Sequence, residues 1–352
     1  MKNAYFNKQK YLEKFRPLLA PLSIMFLGLF LLRDFLYKLG ILSKKKLPCK
    51  VISVGNISSG GTGKTPFVIM LASFFQSKGI SVGILSRGYK RKGFGPLLVT
   101  DGFSKSPEWQ LCGDEPALMA KRLEGIPIVV DKKRIRGGLF LIKKFNPKVI
   151  ILDDAFQHKA IYRNLDIVLI NSSLHTNNHG KLLPLGSLRE PWSCIKRAHL
   201  IIASKINLSK NPHQTLKKIK KTSLPYFQSS IGLNRKLVGC DEKTPMTIRQ
   251  LKGVQVMLVS GIGDSNSFQT LVEKTGAIIV ENLMYSDHYS YTKKDHEIIF
   301  TRKDKINAQL ILTTEKDFIK LKSFKKSAAL FALPIKFSLK QNNIKRILDF
   351  IK

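Results

Sequence analysis

A chain of 352 residues with 43% hydrophobic content is long enough to bury a core in each of two compact domains, which excludes a disordered or fibrous protein. Its 60 Lys plus Arg stand against 24 Asp plus Glu, a formal net charge of +36, so the surface favours polyanions; nucleic acid and an anionic membrane leaflet are the obvious ones, and charge alone does not choose between them. Four cysteines, Cys49, Cys112, Cys194 and Cys240, form no Cys-x-x-Cys pair, which argues against a zinc or redox couple and for reduced thiols in a cytosolic setting.

The chain opens on a nearly unbroken apolar run, Pro17 to Leu32. At ~1.5 Å rise per residue this run reaches only ~24 Å, short of a ~30 Å hydrocarbon core. A cleaved signal peptide fits poorly, because the run contains two prolines and is followed by Arg33, Asp34 and Tyr37. Lys2, Lys8, Lys10, Lys14 and Arg16 precede it, and Arg33, Lys38 and Lys44–Lys46 follow. Positive charge on both sides of an apolar stretch predicts an interfacial membrane anchor over 1–46; a buried core helix is the alternative.

From Lys50 onward continuous apolar blocks predict strands at Val51–Val54, Val82–Leu85, Ile128–Val130, Val149–Leu152, Ile167–Ile170 and Leu200–Ala203. Helical patterns at Lys64–Ser77, Glu115–Leu123 and Lys132–Lys144 fill the intervals, giving the rhythm of a parallel doubly wound α/β sheet. Ser204–Lys221 is polar and lysine-rich, and a second α/β set follows at Val254–Ser260, Ala277–Val280 and Leu310–Thr313. The expected division is 47–210 for the first domain and 211–352 for a smaller one, whose last helix, Asn342–Ile351, is free to pack back on the first.

Val51–Pro66 places a buried strand, a glycine-rich turn and a helix start in succession. Ser58, Ser59, Gly60, Gly61, Thr62 and Gly63 provide the turn; its backbone N–H groups, Lys64 and the Thr65 hydroxyl suit a β-phosphate, the β/γ oxygens and Mg²⁺ in turn. Ser58 stands where the common G-x-x-x-x-G-K-[ST] pattern has its first glycine, so the loop must turn at Gly60-Gly61. Val149–His158 is a strand ending in Asp153 and Asp154, where a metal-holding carboxylate belongs. Ser86–Tyr89, Gly113–Pro116 and Leu188–Pro191 also carry chemistry-bearing residues, although Asp114 reads equally as a helix N-cap and Asp287-His288 as a structural pair. His175 and His179 lack a carboxylate partner motif, and no zinc site is expected there.

In chain order these segments resemble the tetraacyldisaccharide 4′-kinase family over nearly the whole length. The matching stretches are Pro21–Ser23, Arg33–Tyr37, Val54–Asn56, Gly60–Pro66, Ser86–Tyr89, Gly113–Pro116, Asp153–His158, Leu188–Glu190, Gly261–Gly263, Asp287-His288 and Thr313–Asp317. Ala155 stands where the family usually has Gly, and Ser265 where Pro is frequent. The resemblance implies a P-loop NTPase-like kinase on the cytoplasmic face of the bacterial inner membrane. Such a kinase transfers the γ-phosphoryl group of ATP, with Mg²⁺, to the 4′-hydroxyl of a tetraacyldisaccharide 1-phosphate in lipid A biosynthesis. It implies that 58–65 hold the ATP phosphates, with Lys64 catalytic, and that Thr65, Asp153, Asp154 and Glu190 serve the metal. Asn56, Arg87, Gln157, His158 and Arg189 then face the lipid, and Asp114 is a general base with His288 orienting it or sharing the proton. The two domains are expected to close over ATP to join that pair. A monomer without nucleic acid is expected, since no helix-turn-helix, zinc knuckle or aromatic ladder is present. The alternative is a membrane-recruited P-loop ATPase without a small-molecule product, although 56–59 lacks the early lysine usual there.

Overall fold

The computed structural model describes residues 16–173, 180–240, 246–324 and 328–350; Lys2, Lys8, Lys10, Lys14, His175 and His179 lie outside them. Helix α1, Arg16–Lys38, begins the described chain. Strands β1 (Lys50–Gly55), β2 (Val82–Ser86), β3 (Leu97–Thr100), β4 (Ile128–Val130), β5 (Val149–Asp153), β6 (Leu165–Asn171), β7 (Leu200–Ser204) and β8 (Tyr226–Leu233) follow. Among them run helices α2 (Lys64–Ser77), α3 (Asp114–Arg122), α4 (Arg134–Phe145) and α5 (Pro212–Lys220). The remainder comprises β9 (Val238–Gly239), β10 (Gln255–Ser260), α6 (Ser265–Glu273), β11 (Ile278–Met284), α7 (Lys293–Lys305), β12 (Leu310–Thr314), α8 (Glu315–Leu321), β13 (Leu330–Leu333), β14 (Ile335–Leu339) and α9 (Gln341–Asp349).

Nine strands form the large sheet in the order β14-β8-β7-β6-β1-β5-β2-β4-β3. It is parallel except at its two edges, where β3 and β14 run antiparallel to their neighbours. The strands expected from apolar blocks are buried on both faces, β1, β5 and β6 almost completely, because helices cover the sheet on each side. The smaller sheet, β11-β10-β12-β13-β9, is parallel apart from β9. One apolar cluster runs from the large sheet through Phe67 and Phe337 to Leu258 and Phe268 of the smaller unit.

The expected boundary at 210/211 does not match the sheet topology. β8 belongs to the large sheet, beside β7, and after the smaller sheet is complete the chain returns as β14 to pair with β8. β14 is an edge strand and β8 lies next to it; both mix buried and half-exposed residues, so neither shows the continuous apolar run of a central strand. The final helix α9 also returns, burying Ile347 in the shared core.

Helix α1 is longer than the apolar run alone suggests. Its 23 residues continue through Arg33 and Asp34 to Lys38, which at ~1.5 Å per residue gives ~34 Å, so length no longer argues against crossing a bilayer. Arg33 and Asp34 do not end the helix because each is paired with the body of the protein, Arg33 with Glu190 and Asp34 with Lys159. Leu19–Lys38 has a mean hydropathy of 1.8 over its most apolar window, only 11% of which is buried. Ser23 and Phe30 face inward, whereas Leu22, Ile24, Met25, Leu29, Leu31, Leu32 and Phe35 are exposed.

Candidate active site

Parallel pairing sets Val54 of β1 opposite Asp153 of β5. The loop leaving β1 and the carboxylates ending β5 therefore open on one crevice, at the carboxyl ends of the strands, where open α/β sheets bind ligands. Gly63 caps α2 at φ 84°, a left-handed conformation that costs glycine little. The free N–H groups of the first helical turn, with the positive end of the helix dipole, then form an anion site beside Lys64.

A short zipper fixes the loop. Ser59 N donates to Ser187 O at 2.7 Å and Arg189 N donates to Ile57 O at 2.8 Å. This carries the Arg189 guanidinium to within 3.0 Å of Asp154 Oδ2, while Lys64 Nζ lies 3.4 Å from Oδ1. Burial opposes a charge on Asp154, but Lys64 and Arg189 hold its carboxyl well below the usual carboxylate range. Asp154 also adopts a left-handed φ of 47°, local strain of the kind stored at functional sites.

Asp153 is in the opposite condition. Its Oδ2 accepts from Ser86 Oγ at 2.9 Å and its backbone carbonyl accepts from Arg134 at 2.8 Å, yet Oδ1 is buried with no partner among the described residues. Burial, reinforced by Glu115 and Asp154, pushes this carboxyl up to about 7. His158 nearby is pushed down to about 4 by burial and by Arg134, Arg163, Arg87 and Arg33, so its imidazole is neutral near pH 7.

A second cluster joins the two sheets. His288, in the loop after β11, places Nδ1 3.1 Å from both oxygens of Asp114 at the start of α3. Lys320 Nζ reaches Asp114 Oδ2 at 2.9 Å and the Glu115 amide donates to Oδ1 at 2.9 Å. Burial works against the charge of Asp114, but His288, Lys316 and Lys320 hold it ionised far below the ordinary range. An ionised carboxylate only accepts, so His288 carries its proton on Nδ1 and presents the Nε2 lone pair, which accepts from Lys316 Nζ at 3.1 Å. Asp114 is 5% exposed and sits behind His288, which lines the cleft.

A cleft of about 1310 Å³ brings together Ser59, Gly60, Gly61, Thr62, Gly63, Lys64, Thr65, Arg87, Asp153, Asp154, Gln157, His158, Arg189 and His288. Phe26, Leu29, Phe30 and Arg33 of α1 form part of its wall. Four expected site residues do not line it. Ser58 bridges to Leu188, and Asn56 is buried, donating to the Ser58 carbonyl while its own carbonyl accepts from Gln157 at 2.8 Å; both brace the loop. The third is Asp114.

The fourth is Glu190, which the resemblance assigned to the metal. It is fully buried, with one oxygen on Arg33 and the other on Arg197, so it fastens α1 to the loop after the zipper. Arg189 and Glu190 are adjacent in the chain yet reach opposite partners, Arg189 turning to Asp154 and Glu190 to Arg33 and Arg197. Glu190→Gln should therefore lower the melting free energy by about 1–3 kcal/mol and leave divalent-cation affinity unchanged, checked by thermal melts with and without Mg²⁺.

Sequence reasoning missed the underside of the loop. Asp264, just after Gly263, accepts from Lys205 at 2.6 Å, Ser267 at 2.6 Å and Asn171 at 2.9 Å, and Asn171 also donates to the Gly61 carbonyl at 3.0 Å. Only the Gly261-Ile262-Gly263 stretch hinted at this contact; Asn171 and Lys205 carry no motif.

An anion-binding loop at one strand end, a carboxylate pair at the next and a cleft spanning two sheets define a P-loop phosphotransferase. Comparison with known proteins makes the class specific: the model of the Tetraacyldisaccharide-1-P 4'-kinase family matches residues 15–352, and the chain belongs to that family. It is 36% identical over 334 residues to the tetraacyldisaccharide 4'-kinase of Aquifex aeolicus, covering 95% of this chain and 98% of the relative. It is also 36% identical to the enzyme of that name from Syntrophus aciditrophicus, covering 89% and 86%. A crystal structure described as the "apo" form of LpxK from Aquifex aeolicus in complex with ATP superposes with a TM-score of 0.71 at 34% identity, covering 94% of this chain and 98% of that one. These names favour a kinase over the ATPase without a small-molecule product.

Proposed function

We infer that this protein transfers the γ-phosphoryl group of ATP to the 4′-hydroxyl of a tetraacyldisaccharide 1-phosphate, a step of lipid A biosynthesis. The observation that carries the reading is one cleft walled by the phosphate loop, the Asp153–Asp154 pair and apolar residues of α1. A sugar hydroxyl needs positioning beside the phosphoryl group, and an acylated sugar needs an apolar surface; the cleft offers both.

The amides of 60–65 and Lys64 hold the phosphates, and Arg189 with Lys64 fixes Asp154. Asp153 Oδ1, without a partner among the described residues, and the Thr65 hydroxyl in the same cleft fit Mg²⁺, which when bound would neutralise charge on the phosphates. His288 Nε2 is the better placed proton acceptor, with Asp114 holding Nδ1–H, the reverse of the roles expected from sequence. Arg87, Gln157 and His158 line the same cleft and bind the acceptor lipid. The exposed face of α1, tied at Arg33 and Asp34, supports peripheral attachment to the cytoplasmic face of the inner membrane, as a monomer. Incubation with radiolabelled ATP, Mg²⁺ and the lipid disaccharide 1-phosphate should place label in a bis-phosphorylated lipid; label released only as inorganic phosphate would overturn the reading.

The nucleotide also depends on the smaller unit. A Cβ at Gly263 would stand 2.8 Å from Gly60 Cα and Gly61 N, so Gly263→Ala must push the two apart. The expected outcome is about a tenfold rise in KM for ATP with a melting temperature lower by a few degrees, about 1–3 kcal/mol of overpacking, read from initial rates and a thermal melt.

A further inference from the structure

Two lysines of α8 meet the Asp114–His288 pair, and their surroundings differ. Lys320 is 1% exposed, reaches Asp114 Oδ2 at 2.9 Å and also donates to the Tyr289 carbonyl at 3.0 Å. It is enclosed on all sides and balances the buried carboxylate permanently. Lys316 lines the cleft. Its Nζ lies 3.1 Å from His288 Nε2, 3.4 Å from Glu115, 3.5 Å from Asp287 and 3.8 Å from Asp114.

The Lys316 position has a chemical cost for the base. An imidazole nitrogen has one lone pair, and while Nε2 accepts from an ammonium group it cannot take a proton from a hydroxyl. Lys316 must leave before His288 can act. An ammonium on a four-carbon stem is a mobile point charge, and a multiply charged phosphoryl group attracts it far more strongly than a neutral nitrogen does. Asp114 keeps its counterion when Lys316 moves, because Lys320 stays.

We propose that Lys316 is a further catalytic residue of the transfer, one whose Nζ leaves His288 Nε2 for a non-bridging oxygen of the phosphoryl group in flight. One movement then neutralises charge on that group and uncovers the base. The acceptor oxygen forms its bond to phosphorus as the bond to the β-phosphate oxygen breaks, ADP departs with the electron pair, and the hydroxyl proton passes to His288 Nε2. The resulting imidazolium keeps Nδ1–H on Asp114. This inference rests on the kinase reading above, and its binding test needs no acceptor lipid.

A lysine that only completes the charge network among Glu115, Asp287 and Asp114 would affect every nucleotide alike. A lysine that contacts the transferring group distinguishes ATP from ADP. Lys316→Met should weaken binding of a non-hydrolysable ATP analogue about tenfold, leave ADP affinity within twofold of the parent, and lower kcat at least a hundredfold. Lys320→Met should lower the melting temperature without changing the ratio of the two affinities. If Lys316→Met is too unstable to assay, the double variant Glu115→Gln/Lys316→Met restores the local charge balance and should show the same split. Equal loss of ADP and ATP-analogue affinity, or kcat within threefold of the parent, would overturn the proposal. Failure of the parent protein to label the lipid would instead overturn the kinase reading, and the two failures are separable because the binding measurements contain only protein, Mg²⁺ and nucleotide.

Discussion

Lys64→Ala should lower turnover by about 10³-fold in a protein that remains folded. Lys64 is the first residue of α2, where alanine is at least as good a helix former, and its side chain is 11% exposed at the edge of the cleft. Removing it does not strand Asp154, since Arg189 still lies 3.0 Å from that carboxylate. The loss therefore falls on charge developing in the transition state, which Arg189, already committed to Asp154, cannot neutralise as well. Initial rates at saturating ATP, with circular dichroism melts beside them, check both halves of the expectation. Turnover within tenfold of the parent would mean that the phosphate loop does not hold the transferring group.

The phosphate loop was legible because its signal is local. Gly60 to Thr65 lies between a continuous apolar strand and a helix start, and the side chains that matter are consecutive. Central strands were legible for a related reason: burial on both faces writes an unbroken apolar run. The last strand of the large sheet and its neighbour were not, because β8 carries Gln228, Ser229 and Ser230 and the edge strand β14 carries Lys336, so their half-buried pattern resembles linker sequence. That ambiguity displaced the expected domain boundary, and no local pattern announces that a chain will leave a sheet after β8 and rejoin it at β14.

Long-range electrostatics were the least readable part. The resemblance put Glu190 with the metal, yet its two oxygens lie on Arg33 and Arg197, while the neighbouring Arg189 reaches Asp154. Asp264, Lys205 and Asn171 are far apart in sequence and converge under Gly61 only after both sheets have formed. The full length of α1 was hidden for the same reason. A charged Arg33-Asp34 pair looks like a helix terminus until its partners, Glu190 and Lys159, are seen.

The roles within the Asp114–His288 pair yield the second large effect. Asp114→Asn preserves shape but replaces an acceptor-only group with an amide, and the amide can donate to Nδ1. Lys320 will hold the remaining carbonyl oxygen, so the amide nitrogen turns toward His288 and the imidazole proton moves to Nε2. The base would then face the acceptor with N–H in place of a lone pair, and kcat should fall by about 10³–10⁴-fold, with KM for ATP nearly unchanged. His288→Gln should match that loss, and combining the two substitutions should add little, because both remove the same proton path. If Asp114 took the proton itself, as the sequence suggested, His288→Gln would be much the milder variant. Rates of the two single variants and the double variant at saturating ATP decide between the assignments. A double variant slower than either single one by the product of their effects would show that aspartate and histidine act independently.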